Sequence, residues 1–70
     1  MELIDIVCVN NSGREDELTL NKVYYNSEIY NYRETKIYNV LDDSGEFFVY
    51  LMELFIPLSE YREKILTELL

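Results

Sequence analysis

Residues 35–51, TKIYNVLDDSGEFFVYL, hold two β-rich runs joined by Asp42-Asp43-Ser44-Gly45. Gly45 can supply the positive φ that closes such a hairpin with a bulge, and the Asp and Ser side chains stabilise turns through their own backbone. The segment therefore predicts a strand over Thr35–Leu41, a tight turn, and a second strand over Glu46–Leu51. Upstream, Val23 to Tyr30 reads as a strand reached through the polar connection Asn31 to Glu34. Before it, Leu18-Thr19-Leu20-Asn21 reads as an apolar anchor and a turn. Asn10 to Glu17 (NNSGREDE) is a polar loop with three consecutive acids, and Glu2 to Val9 is a first strand rich in β-branched residues. Downstream, Met52 to Leu54 makes a turn into a short extended piece, Phe55 to Pro57. From Ser59 the period changes: Ser59 can cap a helix, Glu60 suits its first turn, and Tyr61, Ile65, Leu66 and Leu69 recur at helical spacing. The expectation is one mainly β domain over residues 1–70 with a terminal helix over 59–70.

Two strands break the alternation of a half-buried strand. Phe47, Phe48, Val49, Tyr50 and Leu51 place apolar groups on both faces, as do Ile6, Val7, Cys8 and Val9. Both ask for cover on two sides, from the terminal helix or from a second copy, so self-association as a homodimer is expected of so short a chain. The second strand is ambiguous. Val23, Tyr25 and Ile29 share one face with Ser27, Tyr24 and Tyr30 share the other with Asn26 and Glu28, and period alone leaves either as the core.

The chain has 70 residues, 49% of them apolar, which favours an ordered domain over a disordered one. Its single cysteine, Cys8, lies among valines and reads as a buried thiol. That usage, with no secretory signal and no stretch near the roughly 20 apolar residues of a membrane span, predicts a cytoplasmic protein. The formal charge is −8, from 14 acids against six bases. Such a surplus disfavours direct contact with nucleic acid or an anionic membrane and favours a partner with a basic surface. It is concentrated: residues 1–20 carry five acids and one base, and residues 41–58 carry four acids and no base. If the two segments share a side, Glu15, Asp16, Glu17, Asp42, Asp43 and Glu46 make an acidic stripe. Alternate strand residues lie about 6.6 Å apart, comparable to neighbouring phosphates along one DNA strand. The competing reading is that the acid only keeps a small protein in solution.

Nothing in the sequence assembles a catalytic site. With no histidine and one buried cysteine the usual nucleophilic triads are absent, and a domain of this size offers little room for a sugar cleft between paired carboxylates. The acids around Gly45 do not follow the spacing of a calcium loop, one sulfur without imidazole is a poor zinc set, and no cofactor is expected. A solvated acidic turn is the simpler account of Asp42, Asp43 and Glu46. Tyr24, Tyr25, Tyr30, Tyr32, Tyr38 and Tyr50 could stack bases, but Lys22, Arg33 and Lys36 are too few for a basic groove. Most of these rings are expected in the core or in cross-strand pairs.

Leu-Thr-Leu-x-Lys-x-Tyr at 18–24, Asp-Asp-Ser-Gly-Glu at 42–46 and Phe55 after Tyr50-Leu51 resemble a group of small SH3-like barrels common in phages of low-GC Gram-positive bacteria. The resemblance spans about half the chain. It departs from that pattern at Asn21, where glycine is usual, and at Asn26, where an apolar residue is expected. It implies a small five-stranded SH3-like barrel followed by the helix. Inhibitors of host replication or chromosome proteins occur among such phage proteins, and size and acidity here are similar to those of a staphylococcal-phage inhibitor of the bacterial sliding clamp. The resemblance thus implies a non-enzymatic DNA mimic that blocks DNA access to the sliding clamp or to a histone-like protein. The alternative is an adaptor or assembly module that binds a protein partner through apolar contacts, using the doubly apolar fourth strand or the terminal helix.

Overall fold

The structure, a computed structural model, describes residues 2–69. Five strands form one antiparallel sheet: β1 (Leu3–Cys8), β2 (Val23–Tyr32), β3 (Thr35–Leu41), β4 (Phe47–Leu51) and β5 (Phe55–Pro57). A 3₁₀ turn over Met52–Leu54 separates β4 from β5, and helix α1 (Leu58–Leu69) follows β5 directly. The order across the sheet is β4-β3-β2-β1-β5, so β4 and β5 are its two borders and the sheet is not closed between them.

The hairpin at Asp42–Gly45 forms as expected. Gly45 has φ +85°, Gly45 N–H donates to Asp42 C=O at 3.1 Å, and Asp42 N–H donates to Glu46 C=O at 3.0 Å. Strand β4 starts at Phe47, leaving Glu46 in the turn. The β2–β3 connection is tighter than its polar sequence suggests. Asn31 pairs with Lys36 and Tyr32 with Thr35, so the ladder runs on through polar residues that tolerate water, and only Arg33 and Glu34 make the turn. The helix begins one residue before Ser59, which lies in its first turn rather than capping it. The side chain of Leu69 and all of Leu70, counted in the expected helix, lie outside the described residues.

Asn26 resolves the ambiguity of the second strand. Ile4 faces Ser27 while Ile6 faces Tyr24, so two steps along β1 match three along β2. The extra residue is a β-bulge, with Asn26 at φ +54° and its N–H bonded to Asp5 Oδ1 at 3.0 Å. Parity switches at the bulge: Tyr24 before it and Ser27 and Ile29 after it all face the core. Asn21, the other departure from the phage pattern, also takes the left-handed conformation, at φ +66°.

The core lies on one face of the sheet. Ile6, Cys8, Tyr24, Tyr38, Val40, Tyr50 and Phe55 fill it with Leu18, the anchor brought in from the loop. Phe55 is its centre, meeting Tyr24, Tyr38 and Tyr50 edge-on with ring centroids 5.9–6.0 Å apart. Val7 points to the opposite face and is fully buried, where α1 packs against β1 and β5. The two-sided cover that β1 requires is thus supplied within the chain. Strand β4 receives no such cover: only Tyr50 is buried, while Phe47, Phe48, Val49 and Leu51 are exposed. Nor does α1 bury a full stripe, because Ile65 and Leu66 are exposed, bordering a shallow apolar cleft with Val23 of β2.

Candidate functional site

The loop before β2 and the β3–β4 turn meet at one end of the molecule. Arg14 C=O accepts the amides of Glu17 and Leu18 at 2.9 Å, a single helical turn that swings Leu18 inward. Asp43 N–H then donates to Glu17 C=O at 2.9 Å, stitching turn to loop. The same end receives two tyrosine hydroxyls whose rings belong to the core. A buried ring needs a partner for its polar tip, and carboxylates supply it. Tyr50 Oη lies 2.8 Å from Asp42 Oδ2 and 3.0 Å from Glu17 Oε2, and its one proton serves one carboxylate at a time. Tyr24 Oη accepts Thr19 N–H at 2.9 Å and donates to Asp43 Oδ1 at 3.1 Å.

Five of the six acids singled out in the sequence fall into two kinds, and Glu17 stands between them. Asp42 is only 5% exposed, so the expectation of a solvated turn fails there. It accepts Ser44 N–H at 2.9 Å, the Ser44 hydroxyl and the Tyr50 hydroxyl. Asp43 accepts Thr19 Oγ1 at 2.6 Å and forms an ion pair with Lys22 Nζ at 2.5 Å. Both are structural acids whose charge is already engaged. Glu15, Asp16 and Glu46 are exposed and free of ion pairs among the described residues. Glu17 is intermediate, half-exposed and 3.9 Å from Arg14.

The titration of the structural acids follows from these contacts. Burial alone pushes the Asp42 carboxyl up, but hydrogen bonds from Ser44 and Tyr50 outweigh it and leave it below its ordinary 3.8. The hydrogen bond from Lys22, then that from Thr19, hold Asp43 below the same value. Burial, then the Asp42 and Glu17 carboxylates, push the Tyr50 hydroxyl well above its usual range, so it stays protonated as a donor. Burial raises the Cys8 thiol and keeps it unreactive. Two cations sit against the same rings, Arg14 at 5.6 Å from the Tyr50 centroid and Lys22 at 5.3 Å from that of Tyr24.

Sequence reasoning missed Thr19, Lys22, Tyr24 and Tyr50 as partners of the acids, because their proximity depends on the loop crossing the end of the sheet. A second surface lies where the doubly apolar fourth strand was expected to offer apolar contacts. On the outer face of β3 and β4, Leu41 pairs with Phe47, Asn39 with Val49 and Ile37 with Leu51, while α1 packs on β1 and β5 instead. The signal in sequence is the apolar run 47–51, whose demand for cover on two sides the helix does not meet. Tyr25, Tyr30 and Tyr32 are exposed as well, half of the six rings considered.

Among the described residues, no group of three or more His, Cys, Asp or Glu is disposed to hold a metal ion, and no helix is long and apolar enough to cross a membrane. No family model matches the chain, and neither does any curated protein or solved structure.

Proposed function

We propose that this chain is a binding module of SH3-like build whose acidic end occupies the basic, DNA-handling surface of a host protein and denies it to DNA. The observation that carries the reading is the joining of the two acidic segments, Asp43 N–H on Glu17 C=O, with Tyr50 touching both Glu17 and Asp42. The strand order, with a 3₁₀ turn before the last strand, supports the SH3-like part. The presented charge is Glu15, Asp16 and Glu46 with part of Glu17, while Asp42 and Asp43 build the platform. A phage origin and the sliding clamp as first target follow from the resemblance of residues 18–24, 42–46 and 55, with a histone-like protein second.

The test is a salt titration of binding to purified clamp. Glu15→Gln/Asp16→Asn/Glu46→Gln should weaken binding by about tenfold or more at low salt, flatten its salt dependence and leave the thermal midpoint unchanged. Unchanged affinity in that variant would falsify the electrostatic mechanism. A second reading, an adaptor that binds a protein through apolar contacts, is favoured by the bare outer face of β3 and β4. It predicts affinity that barely responds to salt.

A further inference from the structure

The free border of the sheet is an open hydrogen-bonding template. Strand β4 pairs with β3 on one side only. Bonded and non-bonded pairs alternate along an antiparallel ladder, and Asp42 N–H on Glu46 C=O sets the phase. Phe48 and Tyr50 therefore bond to β3, while Phe47 and Val49 turn both backbone groups outward and Leu51 turns its N–H outward. No turn or loop backbone group among the described residues satisfies them. Natural edge strands are blunted by charge, proline or a bulge, and the run from Phe47 to Met52 has none of these. Phe47, Val49 and Leu51 are 62, 58 and 50% exposed on the outer face. Beside this border lies a cleft lined in part by Ser12, Arg14, Glu53 and Leu54, with space for guest side chains.

Charge decides the guest. Exposed Glu46 and Glu53 bracket the uncharged strand, and neither enters an ion pair among the described residues. An antiparallel second copy centred on Val49 would set Glu46 opposite Met52 of its mate and beside that copy's Glu53, on chains that each carry −8. A guest with cationic ends meets both glutamates favourably. We infer that β4 accepts an extended segment of a partner protein, apolar at alternate positions and flanked by Lys or Arg, as a sixth strand of the sheet. This deepens the adaptor reading by naming its strand and its guest, and it adds to the apolar and backbone contacts a salt-sensitive pairing at the two ends of the guest.

A short synthetic peptide, Lys-Lys-Val-Thr-Val-Thr-Val-Lys-Lys, provides the probe. Titrated into the full chain, it should protect the amides of Phe47, Val49 and Leu51 from hydrogen exchange. The same peptide N-methylated at alternate amides keeps its side chains and charges but loses its edge bonds, and should bind about tenfold more weakly or worse. Val49→Pro removes an outward N–H without touching the β3 ladder, so it should keep the fold and lose the peptide to a similar degree. Equal binding of the N-methylated peptide, or protection elsewhere, overturns the proposal and leaves an adaptor that binds through side chains alone. Sedimentation showing a dimer whose Phe47, Val49 and Leu51 amides are protected before any peptide is added assigns the border to a second copy and likewise overturns it.

Discussion

The two borders of the sheet are built from similarly apolar sequence and end in opposite circumstances. Strand β5 is three residues long, ends in Pro57 and runs straight into α1, which packs on β5 and its neighbour β1. That helix buries the outer side of β1, and Val7 is as inaccessible there as Ile6 and Cys8 are on the core side. Strand β4 is five residues long and carries no charge, yet no element among the described residues covers its outer face. An apolar run states a demand for cover, and the element that follows in the chain decides whether the demand is met. One helix of twelve residues, tied to β5, can serve only one flank.

The largest effect should come from the core centre beside the covered border. Phe55→Ala removes the ring that three tyrosines meet edge-on, and large aromatic truncations of this kind cost about 3–5 kcal/mol. A domain this small has total stability on the order of 5 kcal/mol, so the variant should be largely unfolded in water at 25 °C. Val49→Thr on the open border should change stability by less than about 0.5 kcal/mol. Urea denaturation of both variants breaks the comparison if the second costs as much as the first, because β4 would then be covered in solution.

How much of this was legible in sequence depends on the range of the physics involved. The Asp42–Gly45 turn, the five strands and the helix were readable because turn chemistry and side-chain period act over a few residues. The faces of β2 were not, because one left-handed residue, Asn26, resets the period and only its partner strand shows it. The acidic site was half legible. That residues 15–17 and 42–46 carry the charge is written in composition. That Asp42 and Asp43 spend theirs on Tyr50, Thr19 and Lys22 depends on contacts between residues 8 to 24 positions apart.

Intermediate effects should come from those engaged acids, which fasten the loop to the β3–β4 turn at the open flank. Asp42→Ala leaves the Tyr50 hydroxyl and the Ser44 amide without their main acceptor and should cost about 1–3 kcal/mol. The pH dependence has a definite sign. Both Asp42 and Asp43 titrate below 3.8 in the folded state, so their stabilisation is fully present above that value and is lost as pH falls through the lowered folded values. Thermal midpoints from pH 7 downward should hold steady to about pH 4 and then drop. The drop should be shallower in Asp42→Ala. An equally steep drop in that variant would place the acid sensitivity outside this end of the molecule.

The smallest effect separates the flanks by their ladders. Strands β3 and β4 pair without irregularity from Ile37 to Leu41, whereas β1 and β2 carry the bulge at Asn26. Holding an L-residue at φ +54° costs roughly 1–2 kcal/mol unless it is Gly, or Asn with its local hydrogen bonding. Asn26→Gly should therefore fall within about 0.5 kcal/mol of the parent, and Asn26→Ala should lose about 1 kcal/mol. The amide bond to Asp5 survives in both, since it uses the backbone. Chemical denaturation with matched slopes reads the difference. If Asn26→Ala proves as stable as Asn26→Gly, the bulge is not a fixed element of β2, and the parity switch that turns Tyr24, Ser27 and Ile29 to the same core would need another cause.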